Sequence, residues 1–260
     1  MMLKRLLAHP LTKGMDIDSP QTTLLRRRII REKPFLRKTY EHWYRRIATA
    51  LPDGDGPVVE LGSGGGFMSE FIPDLITSDV FEVPGVQTVV DAHALPFADG
   101  SLRAIVMTDV LHHIPDVRRF LTEATRCVRV GGAIVMIEPW VTPWARLVWR
   151  FHHEAFAPQA PTWSIPHGGA LSGANMALPW ILFVRDRQVF ERDYPQWHIR
   201  SIEPFMPLAF LMSGGVSCRS FAPGWAFGAC RWMEDRLARW HDTWAMFAQI
   251  VLERIPSPKA

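Results

Sequence analysis

The densest chemistry in this 260-residue sequence lies in Val58-Val59-Glu60-Leu61-Gly62-Ser63-Gly64-Gly65-Gly66, where a short apolar run reaches an acid and then passes into glycines. Glycine lets a backbone approach a ligand closely and take angles that a Cβ forbids. A helix starting behind such a loop would add oriented N–H donors. Downstream acids and imidazoles follow in order: Asp79, Asp91 and His93, then Thr108-Asp109-Val110-Leu111-His112-His113, then Glu138, and finally His152-His153-Glu154, His167 and Asn175.

A glycine loop after a strand suits either a dinucleotide pyrophosphate or the amino-acid end of S-adenosylmethionine, and the spacing separates them. The fingerprint G-x-G-x-x-G needs its third glycine at position 67, which is Phe67. A glutamate inside the strand has no pyrophosphate to serve. It can orient the loop or accept, through water, from an ammonium group. No metal is expected: His152 and His153 are adjacent, His167 follows without H-x₃-H spacing, and the three cysteines form no C-x-x-C.

The elements that must position these residues alternate between strand and helix from Pro57 to Pro139. Strands are expected at Pro57–Leu61, Leu75–Val80, Thr88–Asp91, Ala104–Thr108 and Ala133–Glu138, with a short helix around Phe67–Ile72 and another at Val117–Cys127. Strands separated by helices imply a doubly wound parallel sheet. Before it, apolar residues from Leu24 to Ile47 recur at helical spacing, with Pro34 dividing two helices. The expected organisation is a tail at 1–19, a helical cap at 20–56, a core at 57–139 and a substrate-binding region with the final strands at 140–260. Those last strands fall at Asp193–Ile202 and Ala248–Ile255.

Composition is that of a globular protein, with 48% apolar residues and a mean hydropathy of zero. Residues 1–50 carry 12 basic and 4 acidic side chains, whereas the rest is mildly acidic, so nucleic acid is not the expected partner. The apolar stretch after Lys4 and Arg5 stops at His9-Pro10, no run is long enough to span a bilayer, and the odd cysteine count fits a reducing cytoplasm. Residues 155–184 hold no Asp, Glu, Lys or Arg, and nearly all eleven tryptophans lie from Trp140 onward. This half is expected to enclose a bulky apolar or lipid-linked acceptor, with Trp140, Trp144, Trp149, Trp163 and Trp180 as its aromatic lining.

Over residues 57–140 the chain resembles the class I S-adenosylmethionine-dependent methyltransferases, particularly the type 11, ubiquinone- and menaquinone-methyltransferase-like group of small-molecule enzymes. The resemblance rests on five segments in order: Glu60–Gly66; Asp79 at the end of the second strand; Asp91-Ala92 with Ala94-Leu95-Pro96-Phe97; Thr108–Ile114; and Arg126–Gly132. It implies a seven-stranded Rossmann-like sheet, mostly parallel with the last strand antiparallel. It implies S-adenosyl-L-methionine as cofactor, held by Glu60, Gly62, Ser63, Gly64, Asp79, Asp91, Ala92 and Thr108. One departure is that Asp79 and Asp91 are only 12 residues apart with Val83-Pro84-Gly85 between them, so the usual helix there is shortened or absent. His167, Glu154 and His112 are the candidate catalytic residues.

Each assignment has a plainer alternative. Glu60 would merely cap its own loop, Asp79 and Asp91 would be turn acids, and His112-His113 would start a helix. The tryptophan-rich half would be core or dimer contact, and Arg26-Arg27-Arg28, Arg31, Lys33, Arg37 and Lys38 a solvated helix face, a cofactor lid or a contact for anionic lipid at the inner membrane face. The role itself has two readings, an active methyltransferase or a cofactor-binding scaffold without turnover.

Overall fold

The computed structural model describes residues 16–165 and 168–257. Its centre is set by strands apolar on both faces, as a sheet covered on both sides requires. Among the described residues seven strands are formed: β1 (Val58–Leu61), β2 (Leu75–Asp79), β3 (Thr88–Val89), β4 (Leu102–Thr108), β5 (Val128–Pro139), β6 (Trp197–Phe205) and β7 (Phe247–Arg254). They lie in the order β3-β2-β1-β4-β5-β7-β6, with β1 to β5 parallel and β7 antiparallel to both neighbours. The period of two divides the core. Val59, Leu61, Ile105, Met107, Ile134 and Met136 enter one apolar layer, while Val58, Ala104, Val106, Ala133, Val135 and Ile137 enter the other. Chain order reverses between β1 and β4, which opens a crevice above the carboxyl ends of those strands.

Helix α1 (Pro20–Glu32) and helix α2 (Pro34–Ala50) cover the second layer. The Ser19 hydroxyl accepts from the Thr22 N–H at the start of α1, and Lys33 stands extended between the helices, so Pro34 begins α2 as expected. Burial pushes the Lys33 amine down to about 8. It is held by the carbonyls of Gly215 and Cys218, the latter at 2.7 Å. On the other layer lies helix α3 (Val117–Cys127), opened by Asp116, whose carboxylate accepts from the Arg119 N–H at 3.1 Å. Among the described residues no helix is long and apolar enough to cross a membrane.

Two expected features are corrected. The helix around Phe67–Ile72 is only a 3₁₀ turn at Met68–Glu70. No helix joins β2 to β3 either, because Val83-Pro84-Gly85 sits in a tight loop with the Val86 N–H bonded to the Val83 carbonyl. The glycine loop therefore has no helix N-terminus behind it. Helix α1 approaches the loop instead: Arg27 donates to the Gly64 carbonyl at 2.7 Å and also to the Pro84 carbonyl.

Trp43 on α2 ties the cap to the sheet. It is fully buried, stacks on Phe210 at a centroid distance of 5.9 Å and meets Phe247 of β7 at 4.9 Å. Trp43→Ala should destabilise the fold by about 3–5 kcal/mol, read from denaturant unfolding curves. An unchanged midpoint would show that the cap docks without it.

Candidate functional site

A cavity of about 640 Å³ lies above the carboxyl ends of β1, β2 and β4, and most of the expected site residues meet in its wall. Glu60, Gly62, Ser63, Gly64, Asp79, Asp91, Ala92, Thr108 and Glu154 all line it. His112 does not; it stands behind the wall, fully buried. His167 lies outside the described residues.

The glycine loop is built by steric necessity. Gly62 takes φ +70°, and a Cβ there would lie 2.6 Å from Val110; Gly64 takes φ +23°, and its Cβ would lie 2.9 Å from the Asp79 carboxylate. Ser63 does more than line the cavity. Its hydroxyl donates to Glu60 Oε2 at 2.7 Å and accepts from the Ser78 N–H at 3.1 Å, which knots β1 to β2. Burial pushes the Glu60 carboxyl up to about 7; Ser63 offsets this only in part, and Asp79 adds to it. The Asp79 carboxyl is likewise raised by burial, against the pull of nearby backbone N–H groups. Asp91 is more open, with one oxygen accepting from the His93 N–H at 2.8 Å and lying 2.8 Å from His93 Nδ1. The Thr108 hydroxyl is buried with no hydrogen-bond partner among the described residues. A buried polar atom left so faces a missing partner.

The second half of the wall comes from a different stretch of chain. Glu138, at the end of β5, accepts from the N–H groups of Val110 at 2.9 Å and Leu111 at 2.7 Å with one oxygen, and holds His112 Nδ1 at 2.7 Å with the other. Burial opposes a charged His112, but Glu138 and Glu154 outweigh it and raise the imidazole well above its ordinary range. Burial pushes His113 down to about 3 and His152 to about 4. For Glu154, burial is outweighed by His112 and the other imidazoles, which hold the carboxyl well below the usual carboxylate range. Asn175 is a brace: its side-chain oxygen accepts from Ala157 at 3.0 Å and Ala177 at 3.1 Å, and its own N–H reaches the His112 carbonyl.

The aromatic lining differs from expectation. Of the five tryptophans only Trp149 faces the cavity, with Phe151, Phe210 and Phe221 beside it. Trp140 and Trp163 are buried in the core, and the Trp144 indole N–H is spent on the Pro207 carbonyl at 3.1 Å. Arg26, one of the basic residues considered as a cofactor lid, lines the cavity from the cap, and so do Tyr40 and Tyr44, which sequence reading missed. The two tyrosines stand four residues apart on α2, a spacing that reads as core. Asp109 was passed over as a single residue; it takes φ +63°, an uncommon conformation for a side-chain-bearing residue, directly after β4. Asp18 pins the 169–173 loop beside the site, accepting from the N–H groups of Leu171 at 2.7 Å and Ser172 at 2.9 Å.

Residues 59–136 match the family model described as a methyltransferase domain. An uncharacterized methyltransferase of Mycobacterium sp. (strain KMS) is 30% identical over 113 residues, which is 38% of this chain and 45% of that protein. The chain thus covers less than half the length of the curated relatives it matches. Among solved structures, a chain of the complex between the Haloferax volcanii Trm112 methyltransferase activator and the "putative methyltransferase" is similar with a TM-score of 0.56 at 14% identity, covering 94% of this chain and all of that one. The [4+2]-cyclase SpnF aligns with a TM-score of 0.50 at 14% identity over 82% of this chain and 80% of its own. At such identities these two show the fold alone, and that fold is the seven-stranded methyltransferase sheet.

Glu138 should be the least replaceable residue of the wall. Glu138→Ala strips an acceptor from two backbone N–H groups and a buried imidazole at once. It should cost about 3–5 kcal/mol in denaturant unfolding, and Glu138→Gln less. Equal, small losses in both would mean that the carboxylate does not organise the wall.

Proposed function

We propose that this chain, which carries a class I S-adenosylmethionine-dependent methyltransferase domain, moves a methyl group to a bulky, largely apolar small-molecule acceptor. The observation that carries the reading is one cavity whose lining joins two kinds of surface. The glycine loop, Glu60, Asp79 and Asp91 come from the strand ends, and Trp149, Phe151, Phe210, Leu211 and Phe221 from later segments that also bring His152, His153 and Glu154. The first set suits a nucleoside with an amino-acid tail, and the aromatic set suits a largely apolar acceptor.

The residues present fit the cofactor. Glycines stand where a Cβ would clash, and the Thr108 hydroxyl lacks a partner beside them. S-adenosylmethionine supplies an electrophilic methyl group on a sulfonium, so the protein's task is alignment and exclusion of water. In this assignment Gly62 and Gly64 let the backbone come close to the methionine part, with Thr108 beside it, and Glu60 faces the ammonium. Asp79 binds the ribose hydroxyls, Asp91 the adenine amine, and Ala92 leaves room for the ring. Arg26, Tyr40 and Tyr44 close the cavity from the cap. Proton handling, where the acceptor is a hydroxyl, is assigned to the His112–Glu154 pair or to His167. Arg28, Arg31 and Lys38, which remain exposed, are the proposed contact with anionic lipid where such an acceptor resides.

Two experiments test this. Calorimetry should show binding of S-adenosylhomocysteine and none of NAD, with Asp91→Ala weakening the former by about 1–3 kcal/mol; binding of NAD alone would sink the cofactor assignment. Labelled cofactor incubated with a broad extract, with mass spectrometry of the products, should reveal a methylated apolar product, whereas tight binding without any product favours the scaffold reading. A pH series adds a sign. In the free protein the Glu60 carboxyl sits at about 7, and an ammonium favours its ionised form. Affinity for S-adenosylhomocysteine should therefore climb between about pH 6 and 8, and Glu60→Gln should bind more weakly with that slope flattened. The same shift makes the folded state hold the proton longer than the unfolded one. Glu60 therefore lowers stability as pH rises from its ordinary value of 4.5 to about 7 in the ligand-free protein.

A further inference from the structure

Four imidazoles converge on one carboxylate in the cavity wall. Glu154 Oε2 lies 3.5 Å from His112 Nε2 and 3.7 Å from His152 Nδ1, and Glu154 Oε1 lies 3.8 Å from His113 Nε2 and 3.4 Å from His153 Nε2. These separations exceed the 2.7–3.2 Å of an ordinary N–H···O hydrogen bond. They are close to the spacing of two donors on one ion, since bonds of about 2.0–2.1 Å in a tetrahedral site set neighbouring donors about 3.3 Å apart.

The tautomers are fixed by what lies behind the rings. His113 Nδ1 is 2.9 Å from the Gly173 carbonyl, which can only accept, so Nδ1 carries the proton and Nε2 presents its lone pair. His112 Nδ1 faces Glu138 Oε2 at 2.7 Å, and Glu138 already accepts two backbone N–H groups, so it too acts as acceptor. His112 Nε2 is completely buried, has no hydrogen-bond partner among the described residues, and points at Glu154. The His113 lone pair, the unpartnered His112 Nε2, whose proton a bound ion would displace, and a carboxylate thus face one another across a gap too wide for direct bonding, with Asp109 Oδ1 4.0 Å from His112 Nε2. A ring held by a carboxylate or carbonyl on one nitrogen and directing the other inward is the arrangement that orients a metal-ligating histidine.

We infer that His112, His113 and Glu154 form a divalent metal site of the zinc class. The donor atoms of His112, His113 and Glu154 lie within 4.8 Å of one another, as do those of His152, His153 and Glu154. Two imidazoles and a carboxylate with a position open to a cavity suit a borderline transition ion better than calcium or magnesium, which prefer all-oxygen sites. The expectation of no metal rested on linear spacing, and the two histidine pairs are about forty residues apart in sequence. An ion there would stand in the wall shared with the proposed acceptor and offer its oxygen or sulfur a binding point; that use rests on the methyl-transfer reading, whereas the site itself does not.

The test is metal content. The full-length chain loaded with Zn²⁺ and dialysed should retain one zinc per chain by mass spectrometry, and Co²⁺ in its place should give the visible ligand-field bands of an imidazole–carboxylate site. His113→Asn and Glu154→Gln should lose the zinc and those bands, and Glu138→Gln should bind zinc 10–100-fold more weakly. His198→Ala, on the exposed edge of β6, should keep both. S-adenosylhomocysteine binding and far-UV circular dichroism on the same samples report folding; if Glu154→Gln does not fold, His113→Asn and the cobalt spectrum decide. Failure to retain zinc in the parent chain, or equal retention in the ligand variants, overturns the site. Zinc retained without S-adenosylhomocysteine binding would leave the site standing and remove the cofactor reading instead.

Discussion

A carboxylate buried at the end of a parallel strand must be supplied with donors, and the region above this sheet is organised by that demand at Glu138. It is completely buried, and its two oxygens take the N–H groups of Val110 and Leu111 and the ring of His112. Those three contacts fold the chain leaving β4 into the turn at Leu111–His113, with Asp109 in a left-handed conformation at its entrance. Once the turn is fixed, His112 and His113 have nowhere to direct their second nitrogens but toward Glu154. Removing the Glu138 carboxylate would cost more than its contacts contribute, because it leaves the donors it serves without an acceptor.

A comparable demand is met at the other end of the cavity by different means. Glu60 has Ser63 as its side-chain donor, and Ser63 is itself tied to Ser78, so the glycine loop is fixed by the strand pair beneath it. The helices that would stiffen this half are reduced to one 3₁₀ turn. The cap makes up the deficit: Arg27 grips the loop at Gly64, Tyr44 meets Phe67 edge-on, and Arg26 turns into the cavity. The basic run in residues 26–28 is therefore divided, part loop clamp and cavity wall, part exposed. A cap tied this closely to the loop makes cap stability and ligand binding one property, to be expected where a short core lacks its usual helices.

Much of the scaffold was legible because it depends on local rules. Short apolar strands, the Val117–Cys127 helix, Pro34 between two helices, and the glycine–acid pattern each follow from contacts a few residues apart in sequence. Glu60 and Gly62 were reached the same way, whereas Asp79, Asp91 and Thr108 came from the family resemblance; all five line the cavity. The tryptophans misled for the opposite reason. Abundance says that aromatic surface is buried but not on which side of an element, and Trp140 and Trp163 went to the core while Phe210 and Phe221 reached the cavity.

The sequence by itself determined the order of the strands' chemistry: an acid before a glycine loop, acids closing the second and third strands, and a histidine pair after the fourth. Each is fixed because strand ends and glycine turns are short-range, steric matters. Only the tertiary structure decided that His112-His113 and His152-His153 share a single carboxylate, that Glu138 aims one of those rings, and that α1 replaces the helices missing around the loop. Those juxtapositions join segments separated by tens of residues. They are set by how the sheet twists, which face each helix buries and where buried charge can find a donor, none of which has a periodicity along the chain.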